Sequence, residues 1–129
     1  MKKDILFPLV ENVHVAIALI DGQWQALLIN RKADPLTQVM VTSRGYGEKE
    51  DKKQETSLLR HSIGTVDASA IAHIEPLDPG VFHLTNEYWV SFYIGHQVFD
   101  KKYIFFPESI NDKNLCYIKE LKQKGILHS

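Results

Sequence analysis

The chain has a single cysteine, Cys116, in 129 residues. No internal disulfide can form, so the fold rests on burial and hydrogen bonding, and a reducing, cytoplasmic location is expected. An excess of one charge is also missing, with 15 basic against 16 acidic residues and a net charge of −1. That balance creates no long-range field to attract phosphate backbones or an anionic bilayer, so neither a nucleic acid nor a membrane is expected as partner. Long hydrophobic runs are absent. The stretch from Val13 to Ile20 contains His14 and falls far short of the ~20 apolar residues a membrane span needs. The N-terminal Lys2–Lys3 pair is followed by an apolar run, Ile5 to Val10, that Pro8 interrupts and Glu11–Asn12 ends. Without a small-residue cleavage site this is not expected to act as a secretory signal.

Catalytic and metal-binding spacings are scarce as well. None of the six histidines, at positions 14, 61, 73, 83, 96 and 128, forms a His-x-His or His-x-x-x-His pair, so no metal or other cofactor is expected. Arg60-His61-Ser62 puts a serine beside a histidine, but neighbours on a strand point to opposite faces and cannot act as nucleophile and base. Glu75 with Asp78, and Glu108 with Asp112, are acidic pairs at turn positions without a placed acid–base partner. No catalytic residue is assigned.

What is present speaks mostly in period two. "VHVAIALI" alternates Val13, Val15, Ile17 and Leu19 against His14, Ala16, Ala18 and Ile20, the pattern of a strand with one well-filled face. Asp21-Gly22 supplies a hairpin turn, and "QWQALLINR" returns as a second strand. "TQVMVTSR" sets Val39, Val41 and Ser43 against Gln38, Met40, Thr42 and Arg44. Residues 47–55 are almost entirely charged and read as a mobile loop. "TSLLRHSIGTV" and "ASAIAHIEPL" read as two further strands. The strongest pair, "EYWVSFYI" and "QVFDKKYIFF", meets at Gly95-His96. There Tyr88, Val90, Phe92 and Ile94 share one face, and Trp89 and Tyr93 the other. Only the C-terminus changes period: a capping box from Ser109 to Asp112, Leu115, Ile118 and Leu121 at helical spacing, and Gly125 as a C-cap predict a helix over about residues 111–124. Cys116 is expected to pack on that helix.

"RGYG", residues 44–47, matches the opening of an RNA-recognition signature. The next four residues, Glu48 to Asp51, are mostly acidic and offer no ring for a base to stack on. The motif is therefore read as a glycine-flanked strand end. The aromatic cluster around Trp89 and Tyr93 is read first as core packing; if Trp89 and Tyr93 lie on an exposed face instead, they make an interaction patch, because Trp, Tyr and Arg concentrate binding energy at interfaces.

The stretches "MKKDI", "LLINRKADPLTQVMVTSRGYG", "RHSIG", "NEYWVSFYIGHQVFDKKYIF" and "KGIL" together resemble a group of short bacterial proteins of unknown function, typical of Bacteroidetes. Some of that group carry the label phenylalanyl-tRNA synthetase alpha subunit. The resemblance covers most of the chain but carries no functional residue over. A synthetase core would need a longer chain and an ATP-gripping arginine motif, neither of which is found here.

Taken together, the residues predict a single mainly-β domain over 1–129. The expected form is a β-sandwich of about seven strands with immunoglobulin-like topology and one C-terminal helix. A small barrel or a curved sheet packed on the helix is the competing architecture. The expected function is a non-catalytic interaction or accessory module, with a protein partner or a second copy bound through Trp89, Tyr93, Arg60, His61, Arg44 and Tyr46. The alternative is a small-molecule binder or enzyme with a pocket near Arg60, His61 and His73. RNA binding or association with a synthetase is a further, weaker reading.

Overall fold

The computed structural model describes residues 8–129. Met1 to Phe7, including the Lys2–Lys3 pair, lie outside the described residues. Two antiparallel sheets pack face to face as a β-sandwich. In the first sheet β1 (Val13–Ile20) and β2 (Gln23–Asn30) form the expected hairpin. Asp21 and Gly22 both take positive φ, 51° and 79°, which matches the turn to the strands' own twist. β6 (Ile71–Leu77) pairs with the free side of β2, and β10 (Gln123–His128) with the free side of β1. β9 (Cys116–Ile118) then flanks β10, for an order β6-β2-β1-β10-β9.

The second sheet is built on β3 (Leu36–Lys49). One side of β3 pairs with both β4 (Lys52–Glu55) and β5 (Leu59–Val66), and the other with β7 (Thr85–Ile94). β8 (Gln97–Phe105) closes the outer side of β7. Val13, Val15 and Ile17 face Val39, Val41, Tyr88, Val90 and Phe92 across the sandwich, as their alternation predicts. The Tyr103 hydroxyl donates to the Val13 carbonyl at 2.6 Å and ties the sheets together. Burial holds that phenol well above its ordinary pKa, so it remains a donor.

Four expectations are corrected. Residues 47–55 are not a loop: they are the end of β3 and β4, joined at Glu50-Asp51, both with positive φ. Charged side chains can point outward from both strands, so a ladder needs no apolar partner there. The C-terminal helix is not formed either. Residues 112–114 make one 3-10 turn, capped by the Asn111 side chain rather than by Ser109, and the chain continues as β9 and β10. A strand here satisfies the open backbone edge of β1, and that outweighs a helix of roughly three turns, which is marginal on propensity alone.

Gly125 has a different role from the left-handed cap expected of it. A Cβ there would lie 2.9 Å from Ile118 Cδ1, 3.0 Å from the Ile17 carbonyl and 3.1 Å from Ala18 Cβ. The missing side chain lets β10 lie against β1. Ile118 and Leu121, read as helical spacing, instead fold over the outer face of the first sheet and bury Ala16 and Ile29 in a second, smaller core. Cys116 is exposed on β9, not packed.

Candidate functional site

The two faces of the second sheet carry different chemistry, and β3 supplies both. Its outward residues pair in rows across the strands. Thr42 lies opposite Arg60 on β5 and Trp89 on β7, and Trp89 lies opposite Lys102 on β8. Arg60, Trp89 and Lys102 thus stand in one line on the outside. Arg44 opposite Glu87 forms the next row, and Tyr46 lies beyond it. Five of the six expected interaction residues, Trp89, Tyr93, Arg60, Arg44 and Tyr46, therefore share one face. His61 faces the other way.

The indole of Trp89 is 44% exposed, yet it is held in place. Its N–H donates to Asp100, and the Lys102 ammonium sits 4.6 Å from the ring centroid. Met40 and Tyr93 extend the apolar patch at 39% and 36% exposure. Arg44 Nε donates to Glu87 Oε2 at 3.3 Å, the Tyr46 hydroxyl donates to Oε1 at 3.2 Å, and the guanidinium lies 4.6 Å over the Tyr46 ring. Burial and then the Glu87 charge raise the Tyr46 phenol above its ordinary pKa. "RGYG" lies near the end of β3, on a strand running into the Glu50-Asp51 turn, and its two large side chains are committed to Glu87.

On the inner face a cavity of about 330 Å³ opens between β5 and β6, which do not pair. Leu59, Leu77 and Val81 supply apolar wall, and Ser43, His61, Glu75 and Tyr88 form a polar cluster. The second sheet provides three donors. Ser43 Oγ donates to Glu75 Oε1 at 2.7 Å, His61 Nε2 reaches the same oxygen at 2.8 Å, and the Tyr88 hydroxyl donates to Oε2 at 2.9 Å. Glu75 comes from β6 in the opposite sheet, so the cluster bridges the sandwich. Burial, reinforced by the Glu75 charge, pushes the Tyr88 phenol far above its ordinary range and keeps it a donor.

A slip in register brings Glu75 inside. Ala26 pairs with Glu75 but Leu27 pairs with His73, leaving Ile74 as an extra residue. Bulges of this kind re-aim side chains. Here Ile74 and Glu75 both turn inward, while His73 stays on the exposed outer side. The pocket expected near Arg60, His61 and His73 is therefore corrected: His61 lines it, whereas Arg60 and His73 point away. Sequence reasoning assigned Ser43, Glu75 and Tyr88 to no site. Ser43 and Tyr88 left a signal, as polar groups on otherwise apolar faces. Glu75 was noted only as an acidic pair with Asp78, which also lines the cavity, and strict alternation places it opposite Ile74.

The cluster is not a nucleophilic relay. A serine–histidine–carboxylate triad needs the imidazole between the other two, with one nitrogen for each. Here Ser43 and His61 meet the same carboxylate oxygen, and the Ser43–His61 approach of 3.5 Å uses the nitrogen already engaged. The arrangement can hold a carboxylate in place and present it to a cavity. Among the described residues no three His, Cys, Asp or Glu side chains converge as a metal site. No helix of the described residues is long and apolar enough to cross a membrane. Compared with known proteins, the chain matches no family model, no curated protein and no solved structure.

Proposed function

We propose that this protein is a non-catalytic interaction module that binds an acidic protein partner through the outer face of its second sheet. The observation that carries the reading is the row Arg60–Thr42–Trp89–Lys102, in which an exposed indole is already fixed by its neighbours. An aromatic anchor held in place before binding loses little conformational entropy when a partner covers it, and Trp and Arg are both enriched in interface hot spots. The two carboxylates nearest Trp89 are taken: Asp100 accepts from the indole, and Glu87 from Arg44 and Tyr46. Arg60 and Lys102 make no ion pair among the described residues. Around Trp89 the unengaged charge is therefore positive, which favours a different, acidic protein over a second copy of this chain.

The finer fold reading is immunoglobulin-like. Its support is strand order: β5-β3-β7-β8 follows the C′-C-F-G order of a variable-type domain, and β6-β2-β1 follows E-B-A. A cytoplasmic location fits the exposed, unpaired thiol of Cys116.

The test is affinity capture from the source cells with the wild-type chain and with Arg60→Glu/Trp89→Ala, each complex being weighed by light scattering. One stoichiometric acidic protein held by the wild type and lost from a variant of unchanged melting temperature is the expected result. Capture unaffected by the double substitution, or recovery of a dimer of this chain alone, overturns it.

A further inference from the structure

The inner cavity is separate from the interaction face, and its chemistry is one-sided. A carboxylate offers about four acceptor positions. Glu75 uses two on Oε1, for Ser43 and His61, and one on Oε2, for Tyr88. One position on Oε2 remains. Asn86 also lines the cavity; its amide nitrogen donates to the Val81 and Leu84 carbonyls, and its Oδ1 accepts nothing among the described residues. Asp78, at the same wall, accepts only from the Gly80 backbone. Three acceptors, two of them carboxylates, are thus available to an occupant.

Cations are not similarly available, and the donors that face the carboxylate are engaged. The Arg44 guanidinium is paired with Glu87 on the opposite side of the sheet. His61 spends Nε2 on Glu75, and the Ser43 and Tyr88 protons are committed to it as well. Gly45 adds space where a side chain would intrude, since a Cβ there would lie 3.1 Å from Thr56 Cγ2 and 3.3 Å from Asn86 Oδ1. Leu59, Pro76, Leu77 and Val81 supply the apolar wall, and Thr56 and Ser57 add two neutral hydroxyls.

From this asymmetry we infer that the cavity is a binding site for a small organic ammonium: a protonated amine whose three N–H donors meet Glu75, Asn86 and Asp78 and whose apolar body lies on Leu59, Leu77 and Val81. The volume sits at the small end of ligand sites. At ~30 Å³ per water-sized group it holds on the order of ten heavy atoms. Carboxylates and phosphates are disfavoured, because they would bring negative charge to a wall holding two carboxylates and no unengaged cation. Ser43, His61 and Tyr88 act as positioning residues that hold the Glu75 carboxylate in the orientation the amine requires.

Three probes of matched length separate charge from apolar fit: hexylammonium, hexanol and hexanoate, titrated against the isotopically labelled full chain by NMR. Hexylammonium is expected to shift the backbone amides of Ser43, His61, Glu75 and Asn86 and to bind about tenfold or more tightly than hexanol, with hexanoate weakest. Glu75→Gln, which keeps the side chain's shape, should erase the preference for the ammonium over the alcohol. Equal binding of hexylammonium and hexanol to the wild type overturns the inference, as does stronger binding of hexanoate, shifts confined to other residues, or no binding. These comparisons need no variant to fold. The Trp89→Ala protein should give the wild-type result, so the outcome is independent of whether the outer face binds a partner.

Discussion

The outer faces of the two sheets make the most informative comparison in this molecule. Both carry apolar side chains on the side turned away from the sandwich core. On the first sheet Ala16, Leu27 and Ile29 point outward, yet each is fully buried. The β9–β10 hairpin accounts for this, folding back so that Ile118 and Leu121 cover Ala16 and Ile29. On the second sheet Met40, Trp89 and Tyr93 also point outward, and no described residue covers them. Among the described residues, the β9–β10 hairpin completes one face and nothing covers the other. The residue types match that division. The covered face uses alanines and a glycine, which let a second layer approach closely. The open face uses large aromatics flanked by cations, which suit contact with another molecule.

The comparison is broken most forcefully at the cover. Ile118 is fully buried in the small outer core, and Ile118→Ala should cost about 2–5 kcal/mol, read as a fall in the urea midpoint. A change under ~0.5 kcal/mol, the usual size at an ordinary surface site, would mean the hairpin is not a structural cover at all.

A smaller effect is expected from His14, on the same covered face, whose Nδ1 is buried without a partner. Burial first, and then the nearby Arg31 charge, lower its pKa below 6.5. Because the folded-state pKa is depressed, the unfolded chain takes up the proton first. The contribution is intact above pH 6.5 and is lost as the pH falls from there through the folded-state value. His14→Leu should flatten the stability–pH curve in that window; a variant with the wild-type slope would place the acid sensitivity elsewhere.

The smallest effect belongs to the open face. Trp89→Ala should shift folding stability by no more than ~0.5 kcal/mol, because the indole lies outside the core and is 44% exposed. A loss comparable to that of Ile118→Ala would show that Trp89 serves the fold rather than a partner.

Much of this was legible in the residues. Alternation placed Val13, Val15 and Ile17 inside, set Tyr88, Val90 and Phe92 against Trp89 and Tyr93, and put turns at Asp21-Gly22 and Gly95-His96, all as found. The same rule failed wherever a competing interaction was remote in sequence. Leu115, Ile118 and Leu121 have helical spacing, but the open edge of β1, about a hundred residues earlier, draws the segment into a ladder. Charge alone suggested a loop at 47–55, where backbone pairing outside the core costs nothing to charged side chains. The candidate cavity was half visible: His61, Ser43 and Tyr88 all lie on faces that alternation assigns correctly.

By itself, then, the sequence determined seven of the ten strands, the inward and outward sets on most of them, and the balance of charge that leaves no broad field. These follow from local chemistry, since period, turn residues and ionisation need no partner. The tertiary structure alone decided that the C-terminus is a hairpin, that Arg60, Trp89 and Lys102 stand in one row, and that Glu75 turns inward to meet three donors from the opposite sheet. Each depends on register between strands far apart in the chain. One inserted residue, Ile74, is enough to reverse a side chain's face.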